Sequence, residues 1–166
     1  MVNKQHFTPE EWTKILESPI LVGMAVSAAD PNGLWGTIKE AVASRSAITA
    51  SGFEPGCGDF IKTVIADFQS SEGRTAIQDA LHKRLSGVEP GDIVQRSLDN
   101  LREVSAILNE RAPDEAVAFK AWLRGISQTV AEASLEGGFL GIGGVRVSEA
   151  EKATLNDIAK ALGVPV

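Results

Sequence analysis

Apolar residues recur at helical spacing along most of the chain, and turn-forming residues interrupt the pattern at intervals. Thr8-Pro9-Glu10-Glu11 is a helix start: a capping hydroxyl, a proline suited to the first turn, and carboxylates on the positive end of the dipole. Ser18-Pro19 repeats that start, so the pattern predicts a short first helix and a second from Pro19 to about Ala29. Phe7 is placed to staple onto Trp12 or its neighbour. The second helix is apolar on most sides (Ile20, Leu21, Val22, Met24, Ala25, Val26), which predicts a central position. Asp30-Pro31-Asn32-Gly33 is a turn. A third helix follows from Leu34 to about Ala50, and 51–58 reads as a loop. Asp59 caps a fourth helix through Phe68 with Phe60, Ile61, Val64, Ile65 and Phe68 on one face. Ser71 leads into a fifth that ends near Leu85, and Asp92 opens a sixth with Leu98, Leu101, Val104 and Leu108 inward. The seventh runs from Pro113 to Ala133 and presents Val117, Phe119, Trp122, Leu123, Ile126 and Val130 to the core. The eighth opens on Ser148-Glu149-Ala150-Glu151, a capping box, and stops at Leu162-Gly163. Its inward residues are Ala153, Leu155, Ile158, Ala159 and Leu162. Val145-Arg146-Val147 is the only strand-like run and is too short to matter alone. The pattern predicts an all-α chain: one compact bundle of about seven or eight helices spanning 1–166.

Composition sharpens this picture. The chain of 166 residues is 43% hydrophobic and 23% charged, enough for one sizeable core. Tyr is absent and aromatics are 5%, which gives little β-propensity. The net charge of −6 argues against nucleic acid and against adhesion to anionic lipid, both of which need basic patches. A single cysteine, Cys57, excludes an intrachain disulfide and a cysteine zinc cage and fits a reducing, cytoplasmic setting. The first residues lack the apolar core of a signal peptide. The longest apolar run, Pro19 to Ala29, is about half of the roughly 20 residues that a membrane span needs.

Three groups of residues are candidates for function. Asp30, Glu132, Glu136, Glu149 and Glu151 lie near two turns that the fold can bring together, and converging oxygens are what Ca²⁺ or Mg²⁺ requires. The alternative is that they are solvated or capping carboxylates. The EF-hand pattern fails, since Gly33 in the glycine slot puts Ala28 first and Lys39 last. The glycine-rich loop 137–147 is the second group. Phe139, Leu140 and Ile142 there are an apolar contact for a protein partner, a second copy or a membrane surface, or else they tuck into the core. Its backbone N–H groups are also placed to cradle an anion, although neither the P-loop nor the dinucleotide spacing is present. Cys57 near a helix start, in Gly56-Cys57-Gly58-Asp59, is the third. No base is visible for it, and no Gly-x-Ser-x-Gly elbow occurs. His6 and His82 lack ligand spacing. The function classes in view are a binding or scaffold module with an acidic cation site, a metal-free interaction domain using 137–147, and a hydrolytic enzyme using paired carboxylates.

Two stretches also echo each other: Met24-Ala25-Val26-Ser27-Ala28-Ala29-Asp30 before Gly33, and Thr129-Val130-Ala131-Glu132-Ala133 before Glu136-Gly137. The run Val130-Ala131-Glu132-Ala133, a glycine-bearing loop, then Val147-Ser148-Glu149-Ala150-Glu151 through Gly163 resembles the closing motif of the TerB-like tellurite-resistance family. The first echo is similar to that family's opening Ala-Asp-Gly helix end. The resemblance covers about a third of the chain. It implies an all-α fold, metal binding through acidic residues here at Asp30, Glu149 and Glu151, and work in stress-response assemblies near the membrane. The second turn departs from the family, with Ser134-Leu135-Glu136-Gly137 in place of Asp-Gly and a longer loop over 138–145.

Overall fold

The computed structural model describes residues 2–29, 48–50, 57–135 and 147–165. Among these every regular element is helical and no strand occurs. A 3₁₀ turn at Lys4–His6 precedes α1 (Pro9–Ala29), followed by α2 (Asp59–Gln69), α3 (Ser71–Leu85) and a 3₁₀ turn at Pro90–Asp92. Then come α4 (Ile93–Arg111), α5 (Pro113–Leu135) and α6 (Glu149–Leu162). Residues 48–50 are helical and Ile48 is buried, at the end of the span assigned to the third helix in the sequence; its remainder, 34–47, lies outside the described residues.

The first two predicted helices are one. α1 passes straight through Pro19, which is buried. A proline there cannot donate to the carbonyl one turn back, which normally breaks a helix. Ser18 supplies the missing donor: its hydroxyl donates to the Ile15 carbonyl at 2.7 Å. The residues that look like a new start therefore mend the ladder, and burial of Leu16, Leu21, Val22 and Val26 on either side holds the helix through it.

α1 is the central element and packs against every other described α-helix. Its start is fastened reciprocally: the Glu11 N–H donates to the Thr8 hydroxyl at 3.1 Å, and the Thr8 N–H donates to the Glu11 carboxylate at 2.8 Å. A chain of aromatic contacts then crosses the core. Phe7 lies 5.6 Å from Trp12, Trp12 6.2 Å from Phe60, Phe60 5.4 Å from Phe119, and Phe119 5.2 Å from Trp122. This joins the N-terminal turn, α1, α2 and α5, in geometries that add to simple burial.

Ends are set where the residues allow. α2 starts after Gly58, with Asp59 inside the first turn and not capping it. Ser70 caps α3 by accepting from the Gly73 N–H at 2.8 Å. α6 has the capping box foreseen for Ser148 and Glu151. It closes on Gly163 at φ 69°, with the Val164 and Gly163 N–H groups donating to the Ala159 and Lys160 carbonyls. Only glycine takes that left-handed position freely.

Two inward assignments are reversed. Val117 is 75% exposed, because α5 buries Ala116, Phe119, Leu123, Ile126 and Val130, and Val117 lies about 200° around the helix from Phe119. Ala153 is exposed because the buried stripe of α6 runs through Glu151, Thr154, Ile158 and Leu162. No helix among the described residues is long and apolar enough to cross a membrane.

Candidate functional site

α5 and α6 pack side by side, and their outer faces form a cleft open to solvent. α5 contributes Arg124, Ser127 and Gln128; α6 contributes Lys152, Leu155, Asn156 and Ala159. The spacings of three and four residues place each set on one helix face. The cleft holds about 130 Å³. Its floor is buried Ser127 and Ala159 with half-buried Leu155, and its walls are exposed polar side chains. Ser127 turns inward and donates to the Arg124 carbonyl at 2.6 Å. Gln128 donates to the Glu132 carboxylate at 2.9 Å, and Lys152 pairs with Glu149 at 2.7 Å.

The carboxylates proposed for a cation occupy other roles where they are described. Glu132 is exposed and accepts from Gln128. Glu149 has 90% of its side chain exposed and pairs with Lys152. Glu151 is 5% exposed and accepts from the Ser148 N–H at 2.8 Å, completing the α6 cap. Asp30 and Glu136 lie outside the described residues. No group of three or more His, Cys, Asp or Glu side chains able to hold a metal occurs among the described residues. Phe139, Leu140 and Ile142 also lie outside them; of 137–147 only Val147 is described, packed partly buried against the core. Cys57 is half-buried, its thiol 3.8 Å from the Gly58 carbonyl. His82 is exposed, as its charged surroundings predict.

A buried, paired charge is absent from the sequence-derived candidates. Glu17 of α1 is 1% exposed. Its Oε1 accepts from Arg84 of α3, Nε at 3.1 Å and Nη2 at 2.6 Å, and from Asn100 Nδ2 of α4 at 2.8 Å. Burial pushes the carboxyl pKa up, and Arg84 and Asn100 offset this only in part. Three buried oxygens, Glu17 Oε2, Ser97 Oγ and Asn100 Oδ1, have no hydrogen-bond partner among the described residues. The signal was present: Glu17 stands inside Ile15-Leu16-Glu17-Ser18-Pro19-Ile20-Leu21-Val22, an acid with apolar neighbours on both sides. A second buried charge, Lys120 of α5, donates to Asn109 Oδ1 at 2.7 Å, and burial lowers its pKa. Glu17 does not line the α5–α6 cleft, so the raised carboxyl and the open cleft are separate features.

Fold and cleft together define an all-helical protein with a polar, solvent-open groove between its last two helices. The chain belongs to the same family as the Methanothermobacter thermautotrophicus protein described as "Uncharacterized protein ORF11'": the two are 32% identical over 128 residues, 77% of each chain. No protein-family model matches the chain, and no solved structure matches it significantly.

Proposed function

We propose that this protein is a non-enzymatic helical binding or scaffold module of the TerB-like kind, which engages its partner through the α5–α6 face. The observation that carries this is the open cleft at Arg124, Gln128, Lys152 and Asn156. It lies between the two helices whose sequence resembles the TerB-like closing motif. Two further points support it. The described carboxylate with a raised pKa, Glu17, is buried in the core and does not line the cleft. The polar cleft walls sit on a helix of 23 residues and on a capped helix of 14, which are rigid supports for recognition. The resemblance adds a finer form, a divalent cation held through Asp30, Glu149 and Glu151; of the two described, Glu149 is exposed and Glu151 is the buried cap of α6.

Gln128→Trp and Asn156→Trp fill the cleft from opposite walls without touching the core. A partner retained by the wild-type chain should be lost by both variants while their far-UV spectra and melts stay unchanged. Equal retention by both would rule out this face. Melts of chelator-treated protein with Ca²⁺, Mg²⁺, Mn²⁺ and Zn²⁺ test the cation. A rise lost in Asp30→Asn and Glu149→Gln supports it, because a ligand of the folded state raises apparent stability. Flat melts leave a metal-free interaction module.

A further inference from the structure

We propose that one water molecule is bound inside the core where α1 meets α4, donating hydrogen bonds to Glu17 Oε2 and Asn100 Oδ1. Both residues are sealed from solvent, Glu17 at 1% exposure and Asn100 at 0%, and neither oxygen has a hydrogen-bond partner among the described residues. The two oxygens belong to groups already in contact, since Asn100 Nδ2 donates to Glu17 Oε1 at 2.8 Å. The same nitrogen reaches the Lys14 carbonyl at 3.4 Å. Turning the amide over would set Oδ1 against two acceptors, so these contacts fix its orientation.

What these oxygens need is donors. An ionised carboxylate oxygen and an amide oxygen can only accept, and buried acceptors are rarely left unserved. Water brings two donors on one atom and keeps two lone pairs. It can therefore serve both oxygens and accept from the hydroxyl of Ser97, which lies three residues before Asn100 on the same buried stripe of α4 and is itself without a partner among the described residues. Two to four polar partners is the usual count for an internal water. Charge argues against a metal ion. Arg84 already balances Glu17 at 2.6 Å, and a second cation would be buried without a counter-charge. Calcium would also want six or more oxygens. A proton on Oε2 could serve Asn100 Oδ1, but it would give up the charge that strengthens the Arg84 bonds. A donor on Oε2 instead supports the charged form of Glu17 that Arg84 holds. This site is independent of the α5–α6 face.

The test is a high-resolution crystal structure of the full chain at neutral pH. A fully occupied water should lie about 2.6–3.2 Å from both Glu17 Oε2 and Asn100 Oδ1. A direct Oε2–Oδ1 hydrogen bond would overturn the proposal in favour of a protonated Glu17. A side chain from 30–47 or 136–146 donating to these oxygens would overturn it too, as would a metal ion or no density between them. In solution, NMR should show a cross-peak between water and the Asn100 side-chain amide, with the sign of a long-lived water. It should persist in Ser97→Ala, which removes a hydroxyl proton able to relay the signal and leaves both anchoring oxygens in place. Absence of the cross-peak from both chains, or its loss in Ser97→Ala with the fold intact, would overturn the bound water.

Discussion

Glu17 shows how one residue takes its character from its surroundings. A carboxylate removed from water is costly, and here three donors converge on one of its oxygens while the other has none among the described residues. Arg84 is the essential counter-charge. Arg84→Met should lower stability at neutral pH by about 3 kcal/mol or more, the usual consequence of leaving a buried charge unpaired. Urea melts at neutral and mildly acid pH check this. The deficit should shrink in acid, because a protonated Glu17 no longer needs the guanidinium. An equal loss at both pH values would mean that Arg84 acts by packing alone. Nothing in the periodicity marks Arg84 or Asn100 as partners of Glu17, since they are 67 and 83 residues away.

At the scale of elements, the turn between α2 and α3 is a single-residue junction. Ser70 closes α2 by donating to the Asp67 carbonyl at 2.7 Å and opens α3 by accepting from Gly73. Gly73 is required there: a Cβ would sit 1.9 Å from the Asp67 carbonyl oxygen. Gly73→Ala should cost about 1–3 kcal/mol by forcing the two helices apart, measured as a shift in the denaturation midpoint. An unchanged midpoint would show that the corner yields freely. Helix existence was legible almost throughout, because caps, prolines and apolar stripes are local signals. Two errors share a cause. Pro19 and Val117 follow tertiary context: Ser18 and the packing around α1 carry the helix through the proline, and the neighbours of α5 favour Ala116 and Phe119 over Val117.

At the scale of the molecule, stability should depend on pH through two opposed groups. Burial alone would raise the Asp67 carboxyl pKa. The Trp12 indole at 2.6 Å, Lys4 at 3.4 Å and Ser70 outweigh it and hold the value below 3.8. A lowered carboxyl contributes stability that is complete above its unfolded value and lost as pH falls through the folded one. Glu17 has the opposite sign. Its folded value lies above 4.5, so stability declines as pH rises from 4.5 through that value. The maximum should therefore fall in mild acid, with a steep loss below it. Asp67→Asn should flatten the acid limb, and Glu17→Gln should flatten the decline on the neutral side. Chemical melts across pH 2 to 8 test both; a maximum at or above neutral would contradict this balance.

The chain alone carried the all-helical class, most helix ends and most of the core, since each follows from spacing along one element and from capping residues a turn apart. It also contained the cleft-lining helices, down to the capping box of α6. It did not determine the cleft. Arg124, Asn156 and Lys152 become one site only because two helices joined by a long segment lie against each other. Nor did it determine the fate of the acids: Glu151 was a candidate ligand and is a buried cap, while Glu17, an unremarked acid in an apolar run, is the charge at the centre of the fold. Burial and pairing are properties of what surrounds a residue in space, and only the packing of α1 against α3 and α4, and of α5 against α6, supplies them.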